Sequence, residues 1–427
     1  MIKYSDSPKS AEKWKKLEEV TSPEFVEAMK DLYSIYDYEL FEWVANLYDP
    51  KIGGWYYSNS ARDNEKCTWR EKEYTLLPDA ESTCQALGFI TSSGISLGKS
   101  YAEFLPEEMK KEIGDYIYSL QDPDGFFYHP QWGKEIGLSR RARDFNWSVG
   151  MLKALGRAPK YPTIVDKPAD KNEDKGETLI PDHLKSKEAF IAWLDSLDVE
   201  HCSYPAGNNT SSQFAQIKSQ GLADVCIDYY TKRQNPENGL WHATANYYGV
   251  NGFMKISGIY NSAGLVIPYS DKAAKSAIDA IASDEPIGAV VDLWNNWVAI
   301  SNIKSSLRRC GGDKEKALAD EIVKTLLRDA VAAIRKTKEK IAPFAKDDHS
   351  YSYAVKYASP ISQGQPVCIS YLPEGDMNGM VIAVTLMIGM IYGALDLSEY
   401  AVPLYGEEES KKFLEIIENK RKAQRGE

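Results

Sequence analysis

The sequence predicts an all-α protein built from six helical hairpins closed into a ring. Three observations carry that prediction. Apolar residues recur at three- and four-residue spacing along most of the chain. Glycine–aromatic turns recur between these segments, each followed by a polar helix start and a small-residue-rich apolar helix. Convincing alternating strands are few.

The helical spacing is clearest over residues 22–48, 106–121, 185–197, 214–232 and 316–341. Start signals precede several of these, such as Ser22-Pro23 before Glu24 and Pro106-Glu107-Glu108. The turns are "DPKIGGWYYS" at Gly54-Trp55, "QDPDGFFYHP" at Gly125-Phe126-Phe127 and "QNPENGLWH" at Gly239-Leu240-Trp241. The helix starts align as "DAESTCQALGFI" (79–90), "DFNWSVGMLKAL" (144–155), "GVNGFMKISGIY" (249–260) and "GDMNGMVIAVTL" (375–386). Glu81, Asn146, Asn251 and Asn378 then share one column. Asp79, Asp144, Gly249 and Asp376 share the column two residues earlier. Weaker starts around Asn209 and Asn295 or Asn296 bring the total to six.

Taken singly, each Asn or Asp is explained by N-capping, worth about 1 kcal/mol. Taken together, six polar helix starts at one rim form a pocket, with the small-residue helices as the inner layer. The Pro-rich, charged stretch 158–186 is expected to be a linker-like surface insertion in a single domain spanning 1–427.

The formal net charge of −11 argues against nucleic acid and anionic membranes as partners. It leaves room for a small molecule or an oligosaccharide, and it leaves the oligomeric state open. The opening residues "MIKYSDSPKSAEKWKKLEEV" form no apolar core of signal-peptide length and read as a polar helix. "MNGMVIAVTLMIGMIYGAL" is long and apolar enough to raise a membrane span, but its flanks carry no basic anchors. A buried helix is the better reading. Six scattered cysteines without a C-x-x-C pair suit free thiols in a reducing compartment. The sequons at Asn208 and Asn209 carry little weight without a secretory signal, so a cytoplasmic location is expected.

This pattern resembles the (α/α)6-toroid proteins. "YTKRQNPENGLW", from Tyr230 through Gln234, Gly239 and Trp241, is similar to the Gln–Trp repeat of terpene cyclases and their prenyltransferase relatives. "RQNPENGLWH" equally resembles the turn of six-hairpin glycosidases, including unsaturated glucuronyl hydrolases. Toroid polysaccharide lyases have a comparable turn followed by His and Tyr. The likeness covers most of the chain as architecture and bears on fold more than on function. No D-x-D-D acid motif is present, nor an Asp/Cys/His set at prenyltransferase zinc spacing, nor the complete signature of one glycosidase family.

The resemblance implies a carbohydrate-active enzyme acting on an imported, uronate-containing oligosaccharide. Hydrolysis needs a protonated carboxyl and a second group to activate water or attack the sugar. Asp79, Glu81 and Asp144 provide these, with Asp79 beside Glu81 as a like-charged neighbour that raises a pKa. Glu374 and Asp376 form a second acidic pair, and Asp292 is a further candidate.

The alternative is elimination, in which a uronate carboxylate is neutralised and its adjacent proton removed. His242, Tyr247, Tyr248 and Asn251 provide the residue types, and Arg140, Arg141 and Arg143 beside Asn146 form a carboxylate clamp. Trp55, Trp241 and Trp294, among many aromatics, are offered as sugar-stacking faces, with Asn378 as a polar contact. Two further readings stay open, a terpene-cyclase-like isoprenoid enzyme and a non-catalytic binding toroid. His349 follows Asp347 and Asp348, yet no second His lies at a ligand interval, so neither metal nor cofactor is expected.

Overall fold

A computed structural model of the protein describes residues 2–165 and 180–426. It is mostly helical. The strands among the described residues form three short antiparallel hairpins. These pair Tyr48–Asp49 with Gly54–Trp55, Lys66–Trp69 with Lys72–Thr75, and Ile361–Ser362 with Gln365–Pro366.

The chain opens with α1 (Ala11–Val20), α2 (Pro23–Tyr33) and α3 (Leu40–Asn46). The Ser22 hydroxyl caps α2 by accepting from Phe25 N–H, with Pro23 at the first helical position. The expected helix over 22–48 is thus two helices. At the break the Lys3 ammonium donates to the carbonyls of Tyr33 and Tyr36, two groups that a continuous helix would have paired internally. Short α4 (Asn59–Asp63) precedes α5 (Ala80–Ser92), α6 (Tyr101–Phe104), α7 (Glu107–Leu120) and α8 (Leu138–Ala154). Then come α9 (Lys187–Ser196), α10 (Ser203–Ser212), α11 (Phe214–Ser219) and α12 (Ala223–Thr231). The expected helix over 214–232 is interrupted at Gly221, which adopts φ +71°.

The later chain holds α13 (Tyr247–Ala263), α14 (Ser270–Ala282), α15 (Val290–Cys310) and the long α16 (Asp313–Ile341). A continuous apolar rod follows: α17 (Met377–Val381), a π-helical stretch (Ile382–Leu386) and α18 (Met387–Ala394). Helix α19 (Glu407–Arg425) ends the described chain. Within the expected insertion, 166–179 lies outside the described residues. The flanking residues are irregular apart from a 3-10 turn at Asp182–Leu184.

Helix boundaries correct part of the predicted alignment. Asp79 and Asp376 are N-caps, accepting from Glu81, Ser82 and Gly379 N–H groups. Helix α8 begins at Leu138, so Asp144 and Asn146 lie well inside it. Helix α13 is capped by Asn246, which places Asn251 in its second turn rather than at its start. Asn209 likewise lies inside α10.

Packing orders these helices. Helix α5 packs on α8, α8 on α10, α10 on α13, α13 on α15, and α15 on α18 and the π-helical stretch. Helix α17 then packs on α5, and Gln85 donates to the Asn378 side-chain oxygen across that seam at 3.1 Å. Helices α2 and α14 pack on α16, and α19 on α3.

Helices α10 and α13 approach closely at two glycines. There a β-carbon added at Gly207 would sit 2.8 Å from Lys255 Cβ, and one at Gly252 would overlap Ser203. The apolar window Met377–Ala394 has a mean hydropathy of 1.7, and 72% of it is buried within the protein. A smaller apolar cluster, including Tyr57, Leu76, Trp132, Val367 and Cys368, lies under the loops that precede α5, α8 and α17.

Candidate active site

Two polar groupings form near the starts of the packed helices. The first gathers the acids named above. Arg140 is fully buried and serves three carboxylates: Nη1 donates to Glu81 at 2.9 Å, Nη2 to Asp79 at 3.2 Å, and Nε to Asp144 at 3.0 Å. Its guanidinium lies 4.4 Å from the Trp132 ring centre, and Trp132 stacks on His129. Glu81 also accepts from the Ser362 hydroxyl.

Asp79, Glu81 and Asp144 are all buried, and the gap bordered by Ala80, Leu120, Phe127, His129, Trp132, Arg140 and Asp144 admits no water molecule. Burial pushes the Asp144 carboxyl up to about 7, against the opposing pull of Arg140. Burial also lowers His129 to about 4, so the imidazole is neutral. One guanidinium cannot neutralise three carboxylates, so a retained proton lowers the charge of a site closed to solvent.

The second grouping is partly open to solvent. It draws Arg143 from α8, Tyr204 and Asn208 from α10, Lys255 from α13, Asp292 and Asn295 from α15, and Tyr353 from the loop before α17. Arg143 Nη2 donates to the Asn208 side-chain oxygen at 2.7 Å. The phenols of Tyr204 and Tyr353 interact directly, and the Asn295 amide lies beside Tyr204. Lys255 Nζ lies 5.9 Å from the Tyr204 ring centre. Burial, and secondarily the neighbouring Arg143, lower Lys255 to about 7.

Asn295 is fully buried, and its side-chain amide meets the Tyr204 phenol. The Asn251 amide donates to Asp292 at 2.9 Å, and its own oxygen has no partner among the described residues. Asp292 also accepts from the Gly288 and Ala289 N–H groups at the start of α15.

The remaining candidates are dispersed. Asp376 is fully buried and accepts from the N–H groups of Gly379, Tyr353 and Ser359 at 2.7, 2.7 and 3.1 Å, while burial raises it to about 6. His242 borders a separate cavity of about 460 Å³ with Asp195, Asp198, Glu200 and Arg233, and its Nδ1 accepts from Thr244 N–H. Tyr248 is exposed, edge-on to His242 at 5.3 Å and to Tyr204 at 6.5 Å. Tyr247 instead accepts from Lys340.

Trp55 and Trp241 are buried packing residues, with indole N–H groups donating to the Val44 and Tyr230 carbonyls. Trp294 is partly exposed, its N–H without a partner among the described residues. Asn146 is exposed and donates to the Ser212 carbonyl. Asn378 accepts from Gln85, as above. Glu374 accepts from Ser58 and Ser60, and His349 pairs with Asp37. Among the described residues, no group of three or more His, Cys, Asp or Glu is placed to hold a metal ion.

Sequence reasoning passed over Tyr204, Lys255 and Tyr353. Tyr204 and Lys255 occupy helical positions with no motif around them. Their one available signal is that a lysine interrupts the small-residue apolar run of α13. Comparison with family models, curated proteins and solved structures gives no match. Function is therefore read from the side chains themselves.

Proposed function

We propose that the chain is an (α/α)6 toroid whose funnel cleaves a uronate-containing oligosaccharide by β-elimination. The return of α17 to α5, after α8, α10, α13 and α15 have each packed on the next, supports the toroid. One observation carries the chemistry. The partly open grouping contains phenols, cations and amides, its one carboxylate, Asp292, being bonded to Asn251 and the start of α15, while Asp79, Glu81 and Asp144 are closed around Arg140.

In elimination the proton beside the carboxylate is removed and the adjacent carbon–oxygen bond breaks. A carbon–carbon double bond forms, and the departing oxygen takes a proton. Arg143 offsets the charge that builds on the carboxylate. On balance burial raises the Tyr204 phenol, with Arg143 as the opposing influence, and Tyr204 is assigned the proton abstraction for its place beside that guanidinium. Its neighbour Tyr353 returns a proton to the departing oxygen. A cytoplasmic location is part of this reading, and the net charge of −11 and the burial of Met377–Ala394 support a protein apart from nucleic acid and membranes.

Hydrolysis is the second reading, favoured by the elevated Asp144, which keeps its proton near neutrality as a general acid must. Incubation with saturated uronate oligosaccharides separates the two. Unsaturated, ultraviolet-absorbing products lost in Tyr204→Phe and kept in Asp144→Asn support elimination. New reducing ends without that absorbance, lost in Asp144→Asn, replace it with hydrolysis. No cleavage of saturated or unsaturated uronate oligosaccharides overturns both.

A further inference from the structure

Arg143 and Lys255 are two half-buried cations close enough to act on one another, and among the described residues neither has a carboxylate partner. Arg143 spends one donor on Asn208 and lies 5.6 Å from the Trp147 ring centre. Lys255 Nζ lies over the face of Tyr204. The two cations disfavour one another, an arrangement that loses free energy unless a negative charge joins them. The fold nevertheless holds them together. Helices α10 and α13 meet at Gly207 and Gly252, and Gly207 is the contact that lets the Lys255 stem lie against α10. The buried Asn295 amide lies beside Tyr204 in the same grouping.

We infer that Arg143 and Lys255, with Asn208 orienting the guanidinium, receive the carboxylate of a hexuronate unit. The sugar part of this inference rests on the oligosaccharide reading above, but the charge pairing stands apart from it. Inorganic phosphate offers the same kind of charge, so the measurement must tell the two anions apart. Around Lys255 stand Arg143 from α8 and Tyr204 from α10. Further off in the grouping are Asp292 from α15, already bonded to Asn251, and Tyr353 from the loop.

A bound carboxylate restores the charge on Lys255, so binding takes up a proton. Affinity then falls as pH rises through about 7.

The test is calorimetry on the full chain with D-glucuronate, D-glucose and inorganic phosphate, at about pH 6 and about pH 8.5. Glucuronate should bind, more weakly at the higher pH, and glucose should not. Lys255→Met and Arg143→Gln should each weaken glucuronate binding about tenfold or more, with circular dichroism unchanged and the melting temperature no lower. Lys255→Arg should retain most of it. Carbon NMR of reductively methylated protein gives a second readout, in which the Lys255 signal titrates near neutrality and moves upward with glucuronate.

Equal binding of glucose and glucuronate, or glucuronate binding untouched by both charge-removing variants, overturns the charge pairing and leaves the oligosaccharide reading standing. Phosphate binding without glucuronate binding overturns the carboxylate assignment. Binding of neither anion overturns the proposal. Failure to cleave any oligosaccharide while glucuronate binding follows these expectations rejects the enzymatic reading alone.

Discussion

Arg140 offers one buried guanidinium to Asp79, Glu81 and Asp144 and ties the three acids together. Removing the cation leaves three carboxylates in a site closed to water. Arg140→Met is therefore expected to destabilise the protein by about 3–5 kcal/mol, read from chemical denaturation. The pH dependence follows from Asp144. Its folded pKa, about 7, lies above the unfolded carboxylate value near 4, so the folded protein holds a proton that the unfolded chain releases. Its contribution to stability is full below about pH 4 and declines as pH rises to about 7. Asp144→Asn, a fixed neutral mimic, should match the parent near pH 4 and be more stable than it near pH 8. Equal stability differences at both pH values would refute that assignment.

At the scale of elements, the recurring turns depend on backbone geometry that side chains resist. Gly239 has φ +71°, and a β-carbon there would lie 2.7 Å from the Tyr269 carbonyl oxygen and closer still to Ala273 N. Gly239→Ala combines a strained φ with a clash against α14, and a loss of about 1–3 kcal/mol is expected in denaturation. Gly125 repeats the device at φ +93°. In the first turn the positive φ falls on Gly53, and Gly54 instead pairs with Asp49 in a strand. The π-helical stretch Ile382–Leu386 redirects the backbone of the apolar rod, and the Ala383 carbonyl accepts from the buried Tyr36 hydroxyl at 2.7 Å. Tyr36→Phe should cost about 1–3 kcal/mol and speed amide exchange in the rod, because the carbonyl is left without that partner.

At the scale of the molecule, the two ends of the chain are packed together. The Tyr33 hydroxyl donates to the Val402 carbonyl, α19 packs on α3, and Arg421 pairs with Glu112 at 2.9 Å. Deleting 407–427 uncovers the surface that Phe413 and Ile417 bury. A loss on the order of 4–6 kcal/mol is expected, seen as a lower melting temperature. The transition should stay single, since one principal apolar cluster runs from Trp14 to Ile417. Separate melting of an N-terminal and a C-terminal part would contradict that view.

The helical class, most of the long helices, the glycine turns and the capping roles of Asp79 and Asp376 were legible in the sequence. Each depends on local periodicity, φ preference or a side chain bonding to its own backbone, which neighbouring residues determine. The start of α8 was not legible, because an arginine-rich first turn looks like a surface loop until Arg140 is seen buried against three acids. Nor was the partly open grouping. Arg143, Tyr204, Lys255 and Tyr353 come from four elements spread over more than two hundred residues, and nothing local marks them as neighbours. Tertiary packing decided which acids were closed in and which cations were left facing one another, because burial and charge proximity depend on contacts distant in sequence.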